Sequence, residues 1–148
     1  MAERHKELDY LPDNSEVIAS SGAPMAHWLL RFALSATFLF HGLGKLGDIS
    51  ASAESFGLST SVLAAATLVE LAAPAALIVG GSMSNQWGDI LTRLGGLFAI
   101  VVLIGAISVA HWGQWSFAPT ESHPLGGMEF QVTLVAISLF FMLRGNSA

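Results

Sequence analysis

Glu70 is an ionisable residue within an apolar segment, residues 61–81, that is long enough to cross a lipid bilayer. A carboxylate at bilayer depth costs on the order of 3 kcal/mol, so such residues usually mark a pathway or a binding site. Pro74 follows one turn later and lacks the backbone N–H that would bond the carbonyl oxygen of Glu70. We therefore expect a carboxylate and a freed backbone carbonyl to lie together in the middle of this segment.

Other groups capable of proton exchange lie near the ends of neighbouring apolar segments. His41 and Lys45 are one helical turn apart near the end of the first segment, and His111 closes the third. Glu121 and His123 follow in the next loop. We expect these groups to gather on one side of the membrane, above Glu70. We predict Glu70, His41 and Lys45 as catalytic residues, and His41, His111, Glu129, Arg31 and Arg93 as cofactor-binding residues.

Three ligand chemistries fit this set of residues. A quinone needs apolar walls and histidine, lysine or glutamate side chains that bond its carbonyl oxygens and exchange protons. Haem b is an alternative, because His41 and His111 lie on different segments at similar depth and are suitable axial ligands. A metal ion is a third, held by the two histidines and a carboxylate. No compact metal-binding motif is present, so no metal ligands are predicted. The fourth alternative is a structural polar network without a ligand.

Composition indicates a membrane protein. Of the 148 residues, 53% are hydrophobic and 11% are charged, whereas soluble domains carry about 25% charged residues. Net charge is −5 and no basic stripe is present, so a nucleic-acid partner is not expected. The chain has no cysteine, which excludes disulfides and iron–sulfur ligation by its own residues.

Four apolar segments predict an all-α, four-helix transmembrane bundle. The predicted spans are residues 26–46, 61–81, 90–111 and 128–143, and residues 1–25 form a polar cytosolic tail before the membrane domain of residues 26–148. An even number of spans places both termini on one side. That side holds every lysine and arginine except Lys45, so the termini are predicted to be cytoplasmic. The expected location is the cytoplasmic (inner) membrane, with multiple passes through the bilayer.

Several short motifs, in this order, resemble those of the DoxX family of small four-span membrane proteins. The resemblance covers about residues 28–145. The motifs are Arg31 followed by Phe40-His41-Gly42-x-x-Lys45, then Glu70-x-x-x-Pro74-x-x-Leu77-x-x-Gly80, then Arg93, Gly95 and Gly96 with Ala110-His111, and finally Gly127-x-Glu129 and Gly145.

This resemblance implies a role in electron transfer. The family is named for a subunit of a membrane thiosulfate:quinone oxidoreductase, so it implies a subunit that passes electrons from a small donor to the quinone pool. Other membrane protein subunits are then expected as partners, because the chain is too small and too poor in cofactor ligands to form a whole redox enzyme. The alternative is a non-catalytic accessory or assembly subunit of a larger membrane complex, in which the polar residues only hold the helices together.

Overall fold

A computed structural model describes residues 14–147, with side chains from residue 25 onward. Within these residues the chain is entirely helical, which confirms the predicted all-α class. The elements are α1 (Asn14–Leu46), α2 (Ile49–Ser55), α3 (Thr60–Ser82), α4 (Gln86–Ala106), a π-helical turn (Ile107–His111) and α5 (Glu129–Arg144).

The long helices follow the predicted spans with two differences. α1 is helical from the first described residue, Asn14, twelve residues before the predicted start at residue 26, so part of the predicted polar tail is helical. The short helix α2 lies in a segment predicted as a loop. Two helical segments, Thr60–Ser82 and Gln86–His111, are long and apolar enough to cross a membrane.

Local sequence signals explain where the helices begin and how α5 ends. α2, α3 and α4 each begin after a residue whose side chain accepts a hydrogen bond from a backbone N–H in the first turn, namely Asp48, Ser59 and Asn85. α5 ends at Arg144 and is followed by Gly145, whose positive φ of 58° is one that glycine adopts readily. Pro74 does not end α3, which continues on both sides of it.

The long helices pack side by side around a shared apolar core. α3 contacts both α1 and α4, α4 contacts α5, and α5 contacts α1. The buried apolar side chains of this core are Leu34, Phe38, Ala73, Leu77, Ala99, Leu103, Leu134 and Phe141.

Glycine allows the closest helix contact. A Cβ atom added to Gly96 in α4 would lie 2.7 Å from the backbone oxygen of Ser138 and 2.7 Å from the backbone nitrogen of Met142, both in α5. Only a residue without a side chain fits there, because backbone atoms cannot move aside independently of their helix. Small residues of this kind bring membrane helices together.

Candidate functional site

Lys45 and Glu70 form a two-point ion pair between α1 and α3. The Nζ atom of Lys45 donates to both carboxylate oxygens of Glu70, at 2.8 Å and 2.7 Å. The Glu70 side chain is 8% exposed and that of Lys45 is 22% exposed. Gly42 permits this approach, since an added Cβ would lie 2.7 Å from the Leu71 side chain and 3.5 Å from Glu70 Cγ. The pair compensates a charge that would otherwise be buried alone.

A cavity of about 740 Å³ lies beside this ion pair. Side chains from α1, α3, α4 and α5 line it, and most of them are apolar, including Phe38, Leu63 and Leu103. The predicted catalytic residues all line this cavity, as does His111; its principal polar lining residues are His41, Lys45, Glu70, His111 and Gln131. The structure therefore places His41 and His111 at one cavity, and their shared role in binding stays a prediction.

The π-helical turn at the end of α4 carries His111. Its Nδ1 lies 2.9 Å from the carbonyl oxygen of Gly126, and its Nε2 lies 2.9 Å from Nε2 of Gln131. A carbonyl oxygen only accepts, so Nδ1 carries the hydrogen; in the neutral ring Nε2 then accepts an N–H of Gln131. Both ring nitrogens are thus occupied by protein groups. His111 in this conformation has no nitrogen available for a haem iron or a metal ion.

His41 is held much less firmly than His111. The residue is exposed, and its ring meets that of Phe40 edge-on at a centroid distance of 5.4 Å. No hydrogen bond to its ring nitrogens forms within residues 14–147. His41 is therefore the histidine of the cavity whose nitrogens can engage a ligand.

Glu129 lies beside the cavity and is not part of its lining. Its Oε2 accepts a hydrogen bond from the backbone N–H of Phe117 at 3.3 Å. It lines a smaller cavity of about 280 Å³ together with Phe117 and Phe130, which also line the larger one. Glu129 thus holds the loop that contributes Phe117 to the cavity. It is not placed to contact a ligand in the large cavity directly, as predicted for a cofactor-binding residue.

His123 also belongs to this loop and not to the cavity. Its Nε2 lies 2.9 Å from the carbonyl oxygen of Trp112, and its Nδ1 lies 3.1 Å from the hydroxyl of Ser122. Just before α5, two backbone hydrogen bonds tie the two ends of the loop together: Gly127 N–H donates to Ser116 O, and Met128 N–H donates to Gln114 O.

Arg31 lies far from the cavity, contrary to the predicted cofactor contact. It is 14 residues before Lys45 on α1, about 21 Å along a straight helix. Only 1% of the residue is exposed. Its guanidinium donates to the carbonyl oxygen of Leu77 at 2.6 Å, to the hydroxyl of Thr92 at 3.1 Å and to Asn146 Oδ1 at 2.8 Å.

Arg93 is likewise absent from the cavity. Its Nε bonds the Asp89 carboxylate at 2.8 Å, four residues earlier on α4. Its Nη1 donates to the carbonyl oxygens of Met142 and Leu143 in the last turn of α5. Sequence alone could not separate these two arginines from the site, because all their partners except Asp89 come from other helices and from the C-terminal turn.

Asn146 is the residue that sequence reasoning missed. Its side-chain oxygen accepts from Arg31 and Thr92, and its side-chain nitrogen donates to the carbonyl oxygens of Gly80 and Met83. Its backbone N–H donates to Asp89. This one residue joins α1, α3 and α4. A polar residue just after the final glycine carries no sequence signal for such a role.

Among the described residues, no group of three or more histidine, aspartate or glutamate side chains is arranged to hold a metal ion. The geometry thus presents an apolar cavity with an ion pair at one place and a histidine–glutamine pair at another. That arrangement suits a flat ligand with apolar faces and polar atoms on its edges.

Comparison with known families confirms the resemblance to the DoxX family over residues 26–112. The family model DoxX matches residues 26–112, more than half of the 148 residues, and the match includes Lys45, Glu70 and His111. No curated protein and no solved structure matched the chain in the same comparisons. The chain therefore belongs to the DoxX family and is a membrane protein.

Proposed function

We propose that this chain is an integral membrane subunit of a quinone-linked oxidoreductase and that its large cavity binds the quinone ring. One observation carries the proposal: the Lys45–Glu70 ion pair and the His111–Gln131 pair line the same apolar cavity. A quinone ring is about as large as an aromatic side chain, is apolar on both faces and is polar only at its two carbonyl oxygens. A site for them needs apolar walls and a few well-placed polar groups.

The cavity offers a way in from the bilayer. Val62, Val101 and Val109 line it, yet between 46% and 58% of each residue is exposed on the helical surface. In a membrane these residues face lipid, which is where a quinone with an isoprenoid tail resides. The ring can then enter sideways between helices while the tail stays among the lipid chains.

Lys45 and Glu70 supply the polar chemistry of the proposed site. An ammonium group has three N–H donors, and Glu70 occupies two of them. The third can donate to a quinone carbonyl oxygen. Reduction of a quinone takes up two electrons and two protons and gives a hydroquinone, so a carboxylate and an ammonium group beside the ring oxygen can take part in proton delivery.

The electrons must come from elsewhere in the complex. The chain has no cysteine, so it cannot hold an iron–sulfur cluster by thiolates of its own. We therefore propose that a partner subunit carries the electron-donor site. This agrees with the role in electron transfer that the family suggests.

The proposed topology has four membrane spans with both termini in the cytoplasm, in the cytoplasmic membrane. α3, and α4 together with its π turn, are long and apolar enough to cross the membrane, and we assign α1 and α5 as the other two spans. Arg31 and Arg93 both contact the C-terminal end of the fold, where Arg144 also lies, whereas Lys45 lies at the other end of α1. This distribution of positive charge supports a cytoplasmic C-terminus.

Quinone binding by the purified protein tests the proposal. The full chain in lipid nanodiscs would be titrated with decylubiquinone and with 2,3-dimethyl-1,4-naphthoquinone, and quinone carried through purification would be measured in an organic extract. We expect saturable binding of about one quinone per chain. Glu70→Gln and Lys45→Met should each weaken it about tenfold or more, since hydrogen bonds to charged groups contribute about 1.5–3 kcal/mol.

Glu54→Gln is the matched control for Glu70→Gln, because Glu54 is an exposed carboxylate on α2 outside the cavity. It should bind quinone like the unchanged protein. Absence of saturable binding for both quinones, together with an extract free of quinone, would refute the proposal. The accessory role would then follow if the Glu70 and Lys45 variants lost copurifying membrane subunits.

A further inference from the structure

Gln131 carries a buried acceptor that nothing in the described part of the chain satisfies. The residue lines the large cavity, and its Oε1 atom is inaccessible to water and has no hydrogen-bond partner among the described residues. Buried polar atoms are nearly always paired in folded proteins, so an unpaired one beside a cavity calls for an explanation.

The hydrogen bonds of His111 fix which atom of the Gln131 amide is unpaired. Nδ1 of His111 donates to the carbonyl oxygen of Gly126, so Nε2 of the neutral ring has no hydrogen and must accept. The Gln131 atom facing it, at 2.9 Å, is therefore the amide nitrogen. The amide oxygen, Oε1, is therefore the atom without a hydrogen-bond partner among the described residues. The last torsion of a glutamine has broad minima, so a small rotation can turn Oε1 toward a donor in the cavity.

The other polar part of the cavity also offers acceptors. Each Glu70 oxygen takes one N–H of Lys45 and keeps further lone pairs. The cavity thus has an acceptor in two separate places, on α3 and on α5. A hydroquinone has two O–H donors, whereas a quinone has none.

We propose that the cavity binds the hydroquinone form more tightly than the quinone form, with Gln131 as the residue that discriminates between them. This inference rests on the proposed quinone-binding function. A quinone can accept the remaining N–H of Lys45 and the second N–H of Gln131, but it leaves Oε1 of Gln131 unpaired. A hydroquinone hydroxyl pairs that oxygen, while its other hydroxyl donates to Glu70. Sites built to pair a hydroxyl reject analogues that lack it.

The preference has a redox consequence. If the reduced form binds tenfold more tightly, the two-electron potential of the bound couple rises by about 30 mV relative to the free couple. A bound quinone is then a stronger oxidant than one in the bilayer. Such a site suits the end of an electron-transfer chain at which quinone is reduced.

Paired titrations test the inference. The full chain in nanodiscs would be titrated anaerobically with decylubiquinone and with decylubiquinol, using calorimetry to obtain both dissociation constants. We expect the quinol to bind about tenfold more tightly. Gln131→Leu should bring the ratio of the two constants close to one, mainly by weakening quinol binding. Gln131→Asn keeps an amide but withdraws it by one methylene, and it should also lower the ratio.

Gln86→Leu is the matched control, because Gln86 is an exposed glutamine at the start of α4, outside the cavity; it should keep the full ratio. Equal binding of the two forms by the unchanged protein, or a ratio unaltered in both Gln131 variants, overturns the preference and leaves the proposed function intact. Absence of binding by either form overturns the proposed function as well.

Discussion

The ammonium group of Lys45 bonds both carboxylate oxygens of Glu70, at 2.7 Å and 2.8 Å, across a sequence separation of 25 residues. The pair joins the C-terminal end of α1 to the middle of α3. Because one partner is nearly buried and the other mostly so, each charge depends on the other for compensation. The same two groups line the cavity, so the proposed quinone binding would use groups that also hold the two helices together.

Replacing one partner of the Lys45–Glu70 ion pair should destabilise the fold more than replacing both partners by apolar residues. Lys45→Met leaves the Glu70 carboxylate buried without a counter-charge, and we expect a loss of about 2–3 kcal/mol in the free energy of unfolding. Adding Glu70→Leu should cost much less than the sum of the single changes. Thermal unfolding in detergent would measure this. Arg144→Met is the control, because the exposed Arg144 bonds only a neighbouring carbonyl in the described structure; additive losses would mean that the pair contributes little.

His41 and His111 should both affect the binding of one ligand, His41 by direct contact and His111 through Gln131. Both line the cavity, so single alanine substitutions should each weaken quinone binding, and the double substitution should cost little more than the larger single loss. We expect His111→Ala to have the larger effect, because it also releases Gln131 and the loop carbonyl of Gly126. His27 lies on α1, like His41, but outside the cavity, so His27→Ala should leave binding unchanged. Strictly additive losses would indicate separate roles.

Two glycines of α4 should respond oppositely to alanine. Gly96→Ala places a methyl group against the backbone of α5, and such overpacking typically costs about 1–3 kcal/mol. A Cβ atom on Gly105 meets nothing within 4 Å. Gly105→Ala should therefore be neutral or stabilise the helix by up to about 1 kcal/mol. Unfolding midpoints of the two variants compare them directly, and equal midpoints would contradict the packing described here.

Asn146 should be important to stability despite its place next to the C-terminus. Asn146→Ala removes an acceptor from the buried guanidinium of Arg31 and a donor from two carbonyl groups at the end of α3. We expect a loss of about 3 kcal/mol, because hydrogen bonds to charged groups are strong and unpaired buried groups are costly. Ser147→Ala is the neighbouring control, since among the described residues Ser147 forms hydrogen bonds through its backbone alone. A wild-type unfolding midpoint for Asn146→Ala would remove this role.

Membrane orientation is tested by reporters. A fusion after Ala148 should be active only as a cytoplasmic reporter, and one inserted near Ser122 only as an external reporter, because the positive residues favour a cytoplasmic C-terminus. Ser122 lies outside the helices. An external signal from the C-terminal fusion would reverse the assigned sides and place the cavity toward the cytoplasm.

The sequence by itself determined the helical class, the family and the polar residues of interest. Apolar runs about 20 residues long predict membrane helices because length and hydropathy are local properties. The isolated carboxylate of Glu70 in such a run was recognisable for the same reason. The positions of the long helices came within a few residues, except at α1, which is already helical at Asn14 among polar residues predicted as a tail, and the short helix α2 was not predicted.

Only the tertiary structure decided which polar groups meet. It paired Lys45 with Glu70, gave His111 a partner in Gln131, and placed Arg31 with Asn146 far from the cavity. These contacts join residues between 20 and 115 positions apart. Helical spacing says which face a residue shares with its neighbours on one helix, but not which helix that face meets. That choice depends on how the helices pack, and glycines such as Gly42 and Gly96 fix it by allowing backbones to come close.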